Sequence, residues 1–189
     1  YNPQTGLVYL RAQHVPINLA SEKEFKFNEV APGKAQSGTG WNLGFAIDTV
    51  PAKSKPFGRL IAWDPVKQEV AWAHDFASPW NGGTLTTAGN LVFQGTADGR
   101  FVAYNAKTGD KLWEAPTGTG VVAGASTYMV DGKQYVSIAA GWGGVFGEFE
   151  RATNVDMHGT VFTFAIGGTA KPPVFAQMPA QKLVEGVAY

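Results

Sequence analysis

The sequence predicts an all-β protein, and three observations carry that expectation. Glycine is abundant, at 24 of 189 residues, nearly twice the usual share of roughly 7%. Charged residues make up 16% of the chain, against about 25% in ordinary globular domains. Aromatic residues reach 13%, with six tryptophans. Turn formers and large rings are thus enriched, while the Glu, Lys and Ala that clothe solvated helices are scarce. That is the balance of short strands joined by tight turns. Charge is even, with 15 basic and 15 acidic residues. No basic stripe argues for nucleic acid, and no apolar run approaches the ~18 residues of a membrane span. The sequence holds no Cys, which excludes a disulfide framework, a thiolate metal site and a nucleophilic Cys.

The strands repeat. Gly58-Arg59-Leu60-Ile61-Ala62-Trp63-Asp64 returns 41 residues later as Gly99-Arg100-Phe101-Val102-Ala103-Tyr104-Asn105, and Trp72 returns as Trp113 at the same offset. Gly83-Thr84-Leu85-Thr86-Thr87 matches Gly124-Ala125-Ser126-Thr127-Tyr128, again at 41, and Leu7-Val8-Tyr9-Leu10 matches Leu91-Val92-Phe93-Gln94 at 84. Within one period, Thr84–Thr87, Leu91–Gly95, Arg100–Asn105 and Lys111–Glu114 read as strands. Ala88-Gly89-Asn90, Asp98-Gly99 and Lys107-Thr108-Gly109-Asp110 separate them, with residues that tolerate positive φ. In the earlier copy Val66-Lys67-Gln68-Glu69 fills the last turn without a glycine. Four strands in about 41 residues is the unit of a β-propeller blade. A Trp fixed on the outer strand is placed to cover the next blade, burying roughly 150–250 Å².

The inventory predicts less than three blades. Residues 1–13 supply one strand of a first blade and 58–76 its outer two; 80–116 form a whole second blade; 120–141 and 159–166 give three strands of a third. Two segments break the period, 14–57 and 142–158, and long loops in a compact β fold are usually functional. Residues 167–189, with Pro172, Pro173 and Pro179, read as an extended linker. The chain opens on Tyr1 inside a turn leading to a strand, so it is expected to be a piece of a longer protein whose two end blades lack neighbours.

Candidate chemistry is sparse. His14, His74 and His158 share no metal-ligand spacing and are expected to be structural. Ser37, Ser126 and Ser137 lack the Gly-x-Ser-x-Gly elbow of a hydrolase. The glycine stretches Gly38-Thr39-Gly40 and Gly118-Thr119-Gly120 are not phosphate loops. Asp98-Gly99 is read as a blade turn, because its periodic twin is Phe57-Gly58. Two apolar, glycine-flanked segments remain, Pro79-Trp80-Asn81-Gly82-Gly83 and Trp142-Gly143-Gly144-Val145-Phe146-Gly147. Inner strands converge on a propeller's axis. Glycines there let a flat ligand approach the backbone, and Trp can stack on it; plain packing of blade tops is the alternative. Trp41 is a third loop aromatic that either lines a pocket or pins its loop.

The repeated Ala-x-Asp/Asn followed by Trp resembles the tryptophan-docking motif of the eight-bladed quinoprotein dehydrogenases, which use pyrroloquinoline quinone (PQQ). Ser78 to Gly89, Val92 to Gly99, Trp113 to Gly120, Gly141 to Val145 and Asn2 to Leu10 closely resemble the quinohaemoprotein alcohol dehydrogenases. The resemblance implies a partial eight-bladed β-propeller over residues 1–166 and, over 167–189, a linker toward a cytochrome c domain lying beyond the sequence. It implies a periplasmic oxidoreductase that takes a small primary or secondary alcohol, uses PQQ polarised by calcium, and passes electrons to haem c. A copper protein, a cytochrome or a quinone would then accept them. By the same resemblance Gly144 and Val145 contact the PQQ ring, Trp80 and Asn81 line the cofactor, and Trp41 walls the substrate funnel. The catalytic Asp and the calcium ligands are expected N-terminal to Tyr1, so no catalytic or metal-binding residue is assigned within the chain. By itself the chain is expected to be inactive.

Three alternatives stay open. A non-catalytic propeller of the same repeat, serving as an outer-membrane assembly scaffold, would lack the Trp142 turn, the long loop and the cytochrome linker. The simpler quinoprotein methanol or glucose dehydrogenases are a second, and the Trp that the methanol enzymes usually carry where Val145 stands disfavours that option. The membrane-bound, multi-subunit alcohol dehydrogenases share the motifs.

Overall fold

The computed structural model describes residues 1–16, 18–21, 45–47, 54–142 and 159–169. Among the described residues the regular structure is all strand: β1 (Val8–His14), β2 (Leu19–Ser21), β3 (Phe45–Ile47), β4 (Phe57–Asp64), β5 (Glu69–Phe76), β6 (Thr84–Thr86), β7 (Leu91–Gly95), β8 (Arg100–Asn105), β9 (Lys111–Pro116), β10 (Ser126–Val130), β11 (Lys133–Ala140) and β12 (Thr160–Phe164). One compact unit holds three antiparallel sheets, in the orders β1-β4-β5, β6-β7-β8-β9 and β10-β11-β12. These are the three blades read from the period. A separate unit holds the antiparallel β2–β3 ladder. This pairing falls within the 14–57 insertion, for which the sequence offered no strand period.

The repeat is visible in the backbone. Gln68 and Gly109, 41 residues apart, take φ of 58° and 80°. The amides of Gln68 and Gly109 each bond the carbonyl four residues back, on Asp64 and Asn105, at 2.8 Å. The side chains of Asp64 and Asn105 accept from the amides two and three residues on, the Asx geometry that lets a short side chain begin a turn. The missing glycine of the first copy is thus met by a Gln held in the left-handed region. Gly6, Asn90 and Asp131 form a second such series, with φ of 72°, 57° and 49°, ahead of the equivalent strands β1, β7 and β11.

Both complete outer pairs also share a bulge. The register shifts between Ala62 and Trp63 in one blade and between Ala103 and Tyr104 in the next. Ala62 faces Trp72 and Ala103 faces Trp113. A bulge re-aims a side chain and increases twist, and here it sits beside each tryptophan.

Strand alternation then builds two cores. Val92, Val102 and Tyr104 of the second blade pack on Leu7, Tyr9, Leu60 and Ala62 of the first, with Trp72 and Phe76 against them. Phe93, Phe101 and Ala103, on the opposite face of the same strands, pack on Val121, Val136, Ile138 and Ala140. The second blade is therefore apolar on both faces, as a sheet stacked between neighbours must be. The far faces of the outer blades are open, with Leu10 45% exposed on one and Val161 73% exposed on the other.

Candidate functional site

At the entry to β6 the chain runs as a strap, Ser78 to Gly83, along the edge of the second blade. Glycines admit it. A Cβ on Gly58 of β4 would stand 2.4 Å from the Ser78 carbonyl oxygen, and one on Gly82 would stand 2.5 Å from the Ala123 carbonyl oxygen. A Cβ on Gly83 would stand 3.3 Å from the Cα of its repeat twin Gly124, so the inner strands of the second and third blades begin side by side.

The strap is tied along its length. Asn81 is fully buried; its Nδ2 donates to the Ser78 carbonyl at 2.8 Å, and its Oδ1 accepts from the Ala97 amide at 3.0 Å. Gly82 N donates to the Gly95 carbonyl, and Gln94 Nε2 donates to the Gly82 carbonyl at 3.0 Å. Arg11 Nη1 donates to the Asn81 carbonyl at 2.8 Å, and Gln13 Nε2 to the Pro79 carbonyl at 2.9 Å. Trp80, half-buried, has its amide on Ser78 Oγ at 3.1 Å.

The second apolar segment begins beside the third blade. Trp142 is 3% exposed and lies flush on Gly120, where a Cβ would meet the indole at 2.2 Å. Val121 bridges Gly141 in parallel, and the Gly141 amide donates to the Gly120 carbonyl. Two buried side-chain atoms, Gln94 Oε1 and Trp142 Nε1, have no partner among the described residues. Such orphans are rare in native interiors. Gly144, Val145 and Trp41 lie outside the described residues.

Several other polar groups of the described residues are tied into the blades. His74 stacks on Tyr104 at 4.8 Å and meets the Gly109 carbonyl at 2.6 Å, so it belongs to the seam between blades. Asp98 bonds Thr96 Oγ1 and pairs with Arg100 at 2.6 Å. Burial raises its pKa, but the Arg100 and Thr96 hydrogen bonds outweigh that, and the carboxyl ends below its ordinary value. This is the blade turn expected at Asp98-Gly99. Burial lifts the Tyr9 phenol above its ordinary value against the lowering bond from Thr5. Tyr9 therefore stays neutral, a donor to the Ala106 carbonyl at 2.9 Å.

The seam itself shows what the repeated indole does. Trp72 Nε1 donates to the Ala106 carbonyl at 3.0 Å, and its ring lies on Gly109, leaving 2.7 Å for any Cβ there. Comparison with known families agrees: residues 1–136 match the family model for the PQQ β-propeller domain of glucose, ethanol and alcohol dehydrogenases. The chain belongs to this family. Among relatives of this PQQ-propeller chain is a quinohemoprotein alcohol dehydrogenase of Comamonas testosteroni, 64% identical over all 189 residues, which cover 27% of the relative. A 1-butanol dehydrogenase (cytochrome c) of Thauera butanivorans is 56% identical over the same span, 27% of its length. The crystal structure of the Comamonas testosteroni protein superposes with a TM-score of 0.81 at 66% identity, over 94% of this chain and 26% of that one. The chain thus spans about a quarter of the length of the curated relatives it matches.

Of the residues the sequence singled out, the structure places Trp80 and Asn81 on one strap at the end of the second blade. It shows Asn81 acting through both side-chain groups on its own backbone surroundings. Sequence reasoning missed Arg11, Gln13 and Gln94. No local signal marked them: polar side chains at strand positions read equally as a solvated face.

Proposed function

We propose that the chain is the C-terminal part of the propeller of a PQQ-dependent quinohaemoprotein alcohol dehydrogenase. Such an enzyme turns primary or secondary alcohols into aldehydes or ketones in the periplasm. The observation that carries this reading is the 64% identity to a quinohemoprotein alcohol dehydrogenase along the whole chain. When bound, PQQ supplies a quinone that takes up the hydride of the alcohol, and haem c of a further domain takes its electrons onward.

The residues present fit a flat group. Trp142 lies flat on Gly120, and the strap that carries Trp80 is stripped of side chains at Gly82 and Gly83, so backbone and flat rings face one another at this end of the blades. Trp80 supplies a half-buried ring as a wall, and Asn81 fixes the backbone that carries it. By their resemblance to the family, Gly144 and Val145 are assigned to contact with PQQ and Trp41 to the wall of the substrate funnel; all three lie outside the described residues. The general base and the calcium ligands are assigned to residues outside the chain. Among the described residues, Asp75 pairs with Arg59, Asp98 with Arg100 and Glu114 with Lys111, and Asp64 is held in its Asx turn, so these carboxylates are engaged within the blades.

The test compares the 189-residue chain with the full-length protein, each supplied with PQQ and calcium, by alcohol-dependent dye reduction. The full-length protein should reduce dye and the isolated chain should not. An inactive full-length holoprotein would overturn the reading; activity in the chain alone would overturn the placement of the base. In the full-length enzyme Trp41→Ala should shift preference toward longer alcohols, by about tenfold in kcat/KM ratio, with kcat changed less. An unchanged substrate profile would remove Trp41 from the funnel.

A further inference from the structure

The face of β1 that meets the second blade is lined by Tyr9, Arg11 and Gln13, at alternate positions as strand geometry requires. All three donate to main-chain carbonyls of the next blade: Tyr9 Oη to Ala106, Arg11 Nη1 to Asn81 and Gln13 Nε2 to Pro79, at 2.9, 2.8 and 2.9 Å. The contact is returned by Thr84 Oγ1, which donates to the Tyr9 carbonyl at 3.1 Å. Further along the same edge, Gln4 Nε2 donates to the Ala88 carbonyl at 2.9 Å and Asn2 Nδ2 to Thr86 Oγ1 at 3.2 Å. The β1 edge thus grips its neighbour through polar side chains, most of them reaching backbone, beside the apolar packing of the seam and the bonds that Trp72 and His74 make to Ala106 and Gly109.

The upper two rungs fall on the strap. Pro79 and Asn81, whose carbonyls they hold, flank Trp80 on either side. The strap's other ties, from Asn81, Gln94 and Gly95, come from its own blade. Arg11 and Gln13 come from a different blade, and Gly58, on the strand paired to β1, is bare so that the strap can lie there. The Pro79 carbonyl lies in the peptide plane that enters Trp80, and the Asn81 carbonyl lies one plane beyond the plane that leaves it, so holding both from outside leaves the intervening Cα–Cβ bond little freedom to turn. The guanidinium makes its bond a charge-assisted one, roughly twice as strong as a neutral pair.

We infer that Arg11 and Gln13 are positioning residues for Trp80, aiming its indole from the neighbouring blade. That the aimed ring faces PQQ rests on the function proposed above; the aiming itself does not. A register change between the first two blades would therefore be felt at Trp80.

The experiment uses the full-length protein labelled with 5-fluorotryptophan, the Trp80 resonance being assigned by its loss in Trp80→Phe. Arg11→Met and Gln13→Leu keep side-chain bulk and remove the donors; Arg11→Lys keeps a cationic donor. The Trp80 fluorine resonance should shift or broaden in the first two while those of Trp72 and Trp142 hold, and Arg11→Lys should restore it. In the same samples, the dissociation constant for PQQ, titrated into apoprotein, should rise about tenfold in Arg11→Met and return in Arg11→Lys. A Trp80 resonance that ignores both substitutions overturns the inference, as does a shift of all tryptophans together, which marks general loosening. If PQQ does not bind the wild-type protein, the functional reading fails, and the fluorine spectra still decide the positioning.

Discussion

The two seams of the molecule use the same repeated tryptophan differently. Between the first and second blades Trp72 is docked: its ring lies on Gly109, its Nε1 donates to Ala106, and Tyr9, His74 and Tyr104 surround it. Between the second and third blades Trp113 stands 41% exposed, edge-on to Phe164 at 5.2 Å and to Phe101 at 6.3 Å. The first seam combines apolar packing with side chains that bond backbone. The second is a run of stacked rings, with Phe93, Phe101 and Phe164 in contact. A hydrogen bond fixes direction, whereas apolar contact is non-directional. Among the described residues the first seam therefore carries more directional side-chain bonds than the second, where the Val121 amide donates to the Thr96 carbonyl at 3.0 Å, and it is the seam that carries the strap.

The largest expected effect is at the docked indole. Trp72→Ala should cost about 4 kcal/mol in urea unfolding, against about 2 kcal/mol for Trp113→Ala, whose ring has less to lose. Equal losses would erase the distinction. Gly109→Ala comes next. It forces a Cβ to 2.7 Å from the Trp72 ring at a φ of 80°, and about 3 kcal/mol should go through clash and left-handed strain together. Gly132→Ala, with φ 75° and nothing within 4 Å, isolates the strain and should cost about 1 kcal/mol. Trp72→Phe keeps most of the apolar contact but removes the bond to Ala106, which predicts about 1 kcal/mol.

How much of this was legible follows from the same contrast. The 41-residue spacing made the blades, their strand bounds and the indole docking readable, because each is repeated. What occurs once was hidden. Arg11 and Gln13 alternate with Leu10 and Ala12, a pattern that reads equally as a solvated strand face, and nothing local says that the carbonyls of a second blade lie within their reach. Gln68 occupies a glycine's conformation without being glycine, because the Asx turn from Asp64 holds the backbone there. Asn81 was singled out for its place beside Trp80, but its buried role in tying the strap is a property of the fold around it. Trp41, Gly144 and Val145 rest on resemblance, and their positions lie outside the described residues.

Two smaller effects sharpen the account. Gln68→Gly should stabilise the first blade by about 0.5–1 kcal/mol, by relieving a left-handed Gln, provided the Asx turn is intact; a loss would mean that the Gln side chain itself contributes. Acid should weaken the second blade's edge. The Asp98 carboxyl is held below its ordinary 3.8 in the folded state, so its contribution is complete above that value and disappears as pH falls through the lower folded value. Because Asp98 is half-exposed, the loss should be small and screened by salt; Arg100→Ala should reduce that acid dependence in thermal melts, leaving the part due to Thr96.

The central claim is that this blade edge, with Trp80 on its strap, is a wall of a PQQ site. Equilibrium uptake of PQQ by the full-length apoprotein tests it directly, wild type beside Trp80→Ala. The account predicts saturable uptake by wild type and binding about tenfold weaker without the indole. Uptake indifferent to Trp80, or no uptake by either protein, would contradict it.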